Sequence, residues 1–388
     1  MRRPSPIVLE PTLPPTDTPE PPVPAERLGW LALVGALALF YLVGVPLQLV
    51  SAGAGIWFAE VFLFLGSGWA LTRWSGRAPA AYLGLRWPGS LPLLFALGVA
   101  VANYFALVIP LQFLVQLAAP QSWVEMFDQT QVFERRSGLE LFLAMTGAVA
   151  AAPIGEEVVF RGLLLQGLLR RGVAVLPAVF ASAAIFSLCH VNLIGLPALF
   201  ELGVVFGLLY VRTRTVLPGM VAHLGSNLTA TLLYVAGKGQ EPGPVEPAAL
   251  PAILAASAAG WVLLGVVLSA ARRVPGAWGQ PREEEVARPR ISLRRALAPW
   301  AVAAAASLVV WGLADRRGLE LDLADVQARL PPPRSSEPGW ARERREDVDA
   351  LREDVRLGRA SLETYREARR ALAGALAADA GTPDGGAP

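Results

Sequence analysis

The sequence predicts an all-α fold: a polytopic transmembrane helical bundle of about eight or nine helices, with a Pro-rich N-terminal arm and a charged, part-helical C-terminal tail. Three observations carry this. Hydrophobic residues make up 54% of the 388 positions and charged residues 17%, against about 25% charge in a soluble domain. Mean hydropathy is +0.45. The charges gather at the two ends and in short runs, leaving one apolar stretch after another between Leu28 and Leu313.

The elements follow in order. Residues 1–27 hold nine prolines between Pro4 and Pro24. Proline at that density supports neither helix nor sheet ladder, so this arm is expected to be disordered and cytoplasmic. Arg2 and Arg3 lead into prolines and acids, which does not read as a secretory signal. Residues 28–314 form the bundle. Its spans are read as Leu28 to Val50, Ala54 to Leu71, Leu91 to Ala118, Leu139 to Leu169, Val173 to Val191, Leu196 to Val211, Val216 to Ala236, Leu250 to Ala271 and Ala296 to Ala314. The fourth exceeds a hydrocarbon core of ~30 Å and must tilt or project. Residues 315–388 form the tail. After a break at Pro331 to Pro333, Val348, Leu351, Val355, Leu362, Tyr365 and Leu372 recur at near-helical spacing in a charged segment from Trp340 to about Ala378. This predicts a solvated amphipathic or coiled-coil helix with a face for a partner.

Arginines in short loops set orientation. Arg73, Arg77 and Arg86, then Arg170 and Arg171, then Arg212 and Arg214 follow the even-numbered spans, as does the basic run from Arg272 to Arg295. Those loops and the N-terminus are therefore expected in the cytoplasm and the C-terminus outside. The abundance of Ala, Gly and Pro, with Lys238 the single lysine, is read as genome composition and points to a bacterial inner membrane. A net charge of +2 gives no footprint for nucleic acid. One cysteine, Cys189, excludes an internal disulfide framework.

Ionisable groups inside spans are costly and mark function. The fourth span contains Glu156, Glu157 and Arg161, the fifth Phe186 and His190, the seventh His223 and Asn227; the two histidines are all the chain has. Glu157 and Arg161 are four apart with the acid first, the favoured order for an ion pair. Glu156 is turned about 100° away and needs partners from other helices. His223 and Asn227 share one side of their helix. Counted along ideal helices at ~1.5 Å per residue, Glu156 lies about 21 Å, His190 about 26 Å and the His223–Asn227 pair roughly 12–18 Å from the cytoplasmic ends of their spans. The depths overlap, so one polar cluster built by three helices is expected. A carboxylate in a partly dry pocket can serve as a base. An imidazole beside it can hold water, and His and Asn donors can receive an oxyanion. These are the parts needed for amide hydrolysis.

Glu-Glu-x-x-x-Arg, Phe-x-x-x-His and His-x-x-x-Asn, in that order on successive apolar helices, resemble the CPBP family of intramembrane proteases. That family includes the Rce1-type CAAX prenyl endopeptidase and bacteriocin-immunity proteins. The resemblance spans residues 139–233, and the run Arg212 to Gly219 before His223 is similar to the family's approach to its third motif. It implies a glutamate-dependent intramembrane endopeptidase acting on a membrane-associated or lipidated peptide or protein. Glu156 would activate water, His190 would help bind it, His223 and Asn227 would form the oxyanion site, and Glu157 and Arg161 would hold them in place. No cofactor is required in this reading. Zinc stays open as an alternative, with Glu156, His190 and His223 as its ligands, as does a non-catalytic immunity or scaffold protein of the same fold. Phe186 is read as packing and Cys189 as a small buried hydrophobe. Glu60 and Glu201, in other spans, are left outside the site as cavity-lining or snorkelling residues.

Overall fold

The computed structural model of the chain describes residues 23–133, 138–237, 247–275, 288–330 and 339–356. Among these residues there are helices and turns but no strand. The expected spans appear as nine helices: α1 (Ala25–Val50), α2 (Ala52–Trp74), α3 (Ser90–Ala118), α4 (138–170), α5 (Val175–Cys189), α6 (Leu196–Thr213), α7 (Leu217–Ala236), α8 (Leu250–Arg273) and α9 (Leu293–Arg329). A tenth, α10, covers Gly339–Arg356. The first begins at Ala25, so the boundary drawn at residue 27 falls inside a helix; the rest of the arm, residues 1–22, lies outside the described residues. So do the Pro331–Pro333 break and the tail positions Leu362, Tyr365 and Leu372.

The chain divides into two compact units, Met1–Ala301 and Val302–Pro388. In the second, α10 buries Ala341 and Val348, one heptad apart. Val348 was an expected seam residue.

Nine spans were expected, with ionisable or polar groups on the fourth, fifth and seventh, and a helix covers each of the nine. Among the described residues, six helices are long and apolar enough to cross a membrane: α1, α2, α3, α6, Pro247–Arg273 around α8, and Leu293–Leu313 of α9. The other three, α4, α5 and α7, carry or adjoin the motif residues. α5 is apolar but shorter than a full span. Polar side chains set α4 and α7 apart and modest length sets α5 apart; the polar groups Glu157, Arg161 and His223 are tolerated because neighbouring helices bury them. With six apolar helices the chain is an integral membrane protein.

The core of the first unit gathers around α4. Val158, Leu163 and Leu165 of α4 pack with Leu28 and Ala32 of α1, Ala178 and Val179 of α5, Tyr210 of α6 and Met220 of α7. A second cluster joins Ala96, Ala100 and Tyr104 of α3 to Leu202 and Phe206 of α6 and Ala222 of α7. At one end of α4, Gln166 ties helices together: its amide donates to the Tyr82 and Gly162 carbonyls at 3.0 Å, and its Oε1 accepts from Tyr210 at 2.7 Å.

One backbone device recurs in α1, α3 and α4. Phe40–Gly44, Tyr104–Val108 and Gly147–Ala151 are π-helical, with the closing N–H groups of Val45, Ile109 and Ala152 bonding five residues back. The residue after each closing group is Pro46, Pro110 or Pro153. Proline has no N–H to donate. The second carbonyl of each π segment, at Tyr41, Phe105 and Ala148, is thereby left without a helical donor.

Candidate active site

Four helices meet at the polar cluster. Glu157 and Arg161, one turn apart on α4, are fully buried and paired through Arg161 Nη1 and Glu157 Oε1 at 2.7 Å, as their spacing predicts. Arg161 Nη2 donates to the Gly203 carbonyl of α6 at 3.1 Å. Its guanidinium lies 4.6 Å from the Phe186 ring centroid and 5.4 Å from that of Phe206. Two aromatic faces, a carboxylate and a carbonyl therefore replace the water that a buried cation loses.

Glu156 finds its partners on other elements, as its position on the helix requires. Its Oε1 lies 4.0 Å from His190 Nε2 and its Oε2 lies 3.8 Å from His223 Nε2. Both separations exceed a direct hydrogen bond. His223 turns its other nitrogen towards Glu157: Nδ1 lies 3.4 Å from Oε1, within ionic range but without hydrogen-bond alignment. The His223 ring stacks on Phe206 with centroids 4.8 Å apart and meets the edge of Phe186 at 5.8 Å.

His190 was expected inside the fifth span, and it stands just past it. α5 ends at Cys189, where the His190 and Val191 N–H groups bond three residues back, to Ser187 and Leu188. Val191 then takes φ +49°, a left-handed conformation unusual for a β-branched residue. Asn192 closes the turn by accepting from the Gly195 N–H at 2.8 Å. This places His190 Nδ1 2.8 Å from the Phe186 carbonyl. A carbonyl only accepts, so Nδ1 carries the proton and Nε2 is the atom facing Glu156. Phe186 does pack, and it does more: it orients His190 through its carbonyl and touches Arg161 and His223 through its ring.

Asn227 also faces α4. Its Nδ2 donates to the Ala148 carbonyl at 2.8 Å, the oxygen that Pro153 leaves without a backbone donor. Two glycines admit the acids. A methyl on Gly219 of α7 would stand 2.7 Å from Glu157 Oε2. A methyl on Gly155 would overlap Glu60 Oε2 and come 2.6 Å from the Glu60 carbonyl oxygen.

That second contact identifies a residue the sequence reading set aside. Glu60 does not snorkel; it is 5% exposed and lies against the residue before Glu156. Glu201 does stand apart, accepting from Asn103 Nδ2 of α3 at 3.0 Å. Cys189 is a free thiol next to His190 in sequence. Among the described residues, no three His, Cys, Asp or Glu side chains converge closely enough to ligate one metal ion.

The fold and the cluster define a polytopic membrane protein with a half-buried carboxylate facing two imidazoles. Residues 138–229, the segment carrying the cluster, match the family model described as type II CAAX prenyl endopeptidase Rce1-like. No curated protein and no solved structure gives a significant match to the chain.

Proposed function

We propose that the protein is an intramembrane endopeptidase in which Glu156 activates water against a peptide bond of a membrane-associated or lipidated substrate. One observation supports this above the others: the Glu156 carboxylate lies between His190 Nε2 and His223 Nε2, at 4.0 and 3.8 Å. A water about 2.8 Å from both groups would bridge either gap.

In this mechanism water donates one hydrogen bond to Glu156 and one to the unprotonated Nε2 of His190. Glu156 takes the proton as the oxygen attacks the scissile carbonyl carbon. The carbonyl π pair moves onto oxygen, and that oxyanion accepts from His223 and from the Asn227 N–H not committed to Ala148. Collapse of the tetrahedral centre breaks the C–N bond, and Glu156 returns its proton to the leaving nitrogen. Glu157 and Arg161 act by position. Glu157 draws the His223 ring towards α4, and Arg161 balances the charge of Glu157. No step in this reading calls for a metal.

The matched family's description supplies a substrate class, a prenylated peptide with a C-terminal CAAX sequence. The test uses the full chain in proteoliposomes with two probes: an internally quenched farnesylated CAAX peptide, and a membrane-tethered peptide library read by mass spectrometry. Wild type is expected to cleave at least one, and Glu156→Ala and His223→Ala neither. Full cleavage by both variants, or none by wild type, defeats the proposal.

A further inference from the structure

Glu60 is a buried ionisable side chain to which the mechanism above gives no task. It sits within the π-helical stretch Ala59–Gly66 of α2, and its Oε2 is buried without a hydrogen-bond partner. An unpaired acid in an apolar helix interior weakens a fold, and an aliphatic side chain of the same size would serve packing better. Packing alone therefore does not account for it. Its location suggests a different role. The carboxyl oxygen fills the space where a side chain of Gly155 would stand. The next residue is Glu156, which lies near enough to Glu60 to interact with it electrostatically. Glu156 Oε2 is likewise buried without a hydrogen-bond partner. Two carboxyl groups, each with an unpartnered oxygen, thus lie near one another, one on α2 and one on α4, and the one on α4 faces the two imidazoles.

We infer that Glu60 is a positioning residue of the hydrolytic centre, its carboxyl group seated on Gly155 and supplying hydrogen-bonding capacity beside Glu156 that holds the base in its productive orientation. The inference rests on the reading of Glu156 as the base. It assigns α2, which contributes no motif residue, a direct part in the site. It also gives Gly155 a reason: any side chain there would displace the Glu60 carboxyl group.

The test places Glu60→Leu and Glu60→Gln beside wild type and Glu156→Gln in the same proteoliposomes with the same two probes, measuring kcat, KM and thermal unfolding. Glu60→Leu keeps the volume and loses the polar oxygens. It is expected to lower kcat by about 10- to 100-fold through misplacement of the base, with KM unchanged and Tm equal to or above wild type. Glu60→Gln keeps hydrogen-bonding capacity and is expected to restore most of kcat. Wild-type kcat in Glu60→Leu overturns the inference, as does a kcat loss matched by a fall in Tm, or a Gln variant no better than Leu. The reading of the base fails separately, if Glu156→Gln cleaves as wild type does.

Discussion

Asn227 Nδ2 donates to the Ala148 carbonyl at 2.8 Å, taking the place of the backbone N–H that Pro153 cannot provide. One side chain thus repairs a helix that the chain has interrupted, and in the proposed mechanism the same amide also donates to the oxyanion. The structural and chemical parts of this role separate. Asn227→Ala should lower stability by about 1–3 kcal/mol, the cost of a buried acceptor left bare. It should also slow cleavage by about 10²–10³ through loss of an oxyanion donor. Adding Pro153→Ala restores a backbone donor, so the double variant should recover stability in thermal unfolding while cleavage stays low. Recovery of both would remove Asn227 from the chemistry.

The Glu157–Arg161 pair is buried on all sides, and its partners are set by geometry as much as by charge. Arg161→Ala strands Glu157 and should destabilise the detergent-solubilised protein by about 3–5 kcal/mol. Arg161→Lys should rescue little. One ammonium cannot reach Glu157 and the Gly203 carbonyl together while lying flat between Phe186 and Phe206. A lysine variant with wild-type unfolding would show that charge alone suffices.

Val191, at φ +49°, holds the turn that presents His190. A left-handed β-branched residue costs roughly 1–2 kcal/mol. Val191→Gly or Val191→Asn should therefore raise the unfolding temperature with cleavage retained. A lower unfolding temperature in both would show that the turn is unstrained.

Metal removal gives an independent check on the mechanism. Exhaustive chelation should leave the cleavage rate unchanged, and Glu156→Gln should reduce it by about 10²–10⁴. Loss of activity on chelation, restored by zinc, would place Glu156, His190 and His223 in a metal centre instead.

The sequence displayed some parts of this arrangement and hid others for physical reasons. Glu157 and Arg161 were readable as a pair because an α-helix fixes what lies four residues away. Glu156 was readable as the odd member for the same reason. The convergence of His190 and His223 on it followed from depth along three helices, since burial leaves few places for such groups. Glu60 was not readable. It is a single acid in an apolar helix, and its importance depends on Gly155, a residue on another helix with no side chain to signal it. The partner of Asn227 was hidden as well, because Ala148 becomes an acceptor only through a π segment and a proline five residues on. His190 was placed inside its helix and stands just past the end: the apolar run continues through Val191, while the helix stops at Cys189.

The polar character of α4 and α7 bears on how the protein enters its membrane. A helix carrying Glu156, Glu157 and Arg161, or His223 and Asn227, partitions poorly into lipid by itself. The apolar helices α1, α2 and α3 precede these in the chain, and α8 follows them. During synthesis the first three can be seated before α4 emerges and can offer it protein surfaces in place of acyl chains. The order of the helices along the sequence is therefore an assembly order, and residues 138–236 produced without the preceding helices would lack the surroundings that let them integrate.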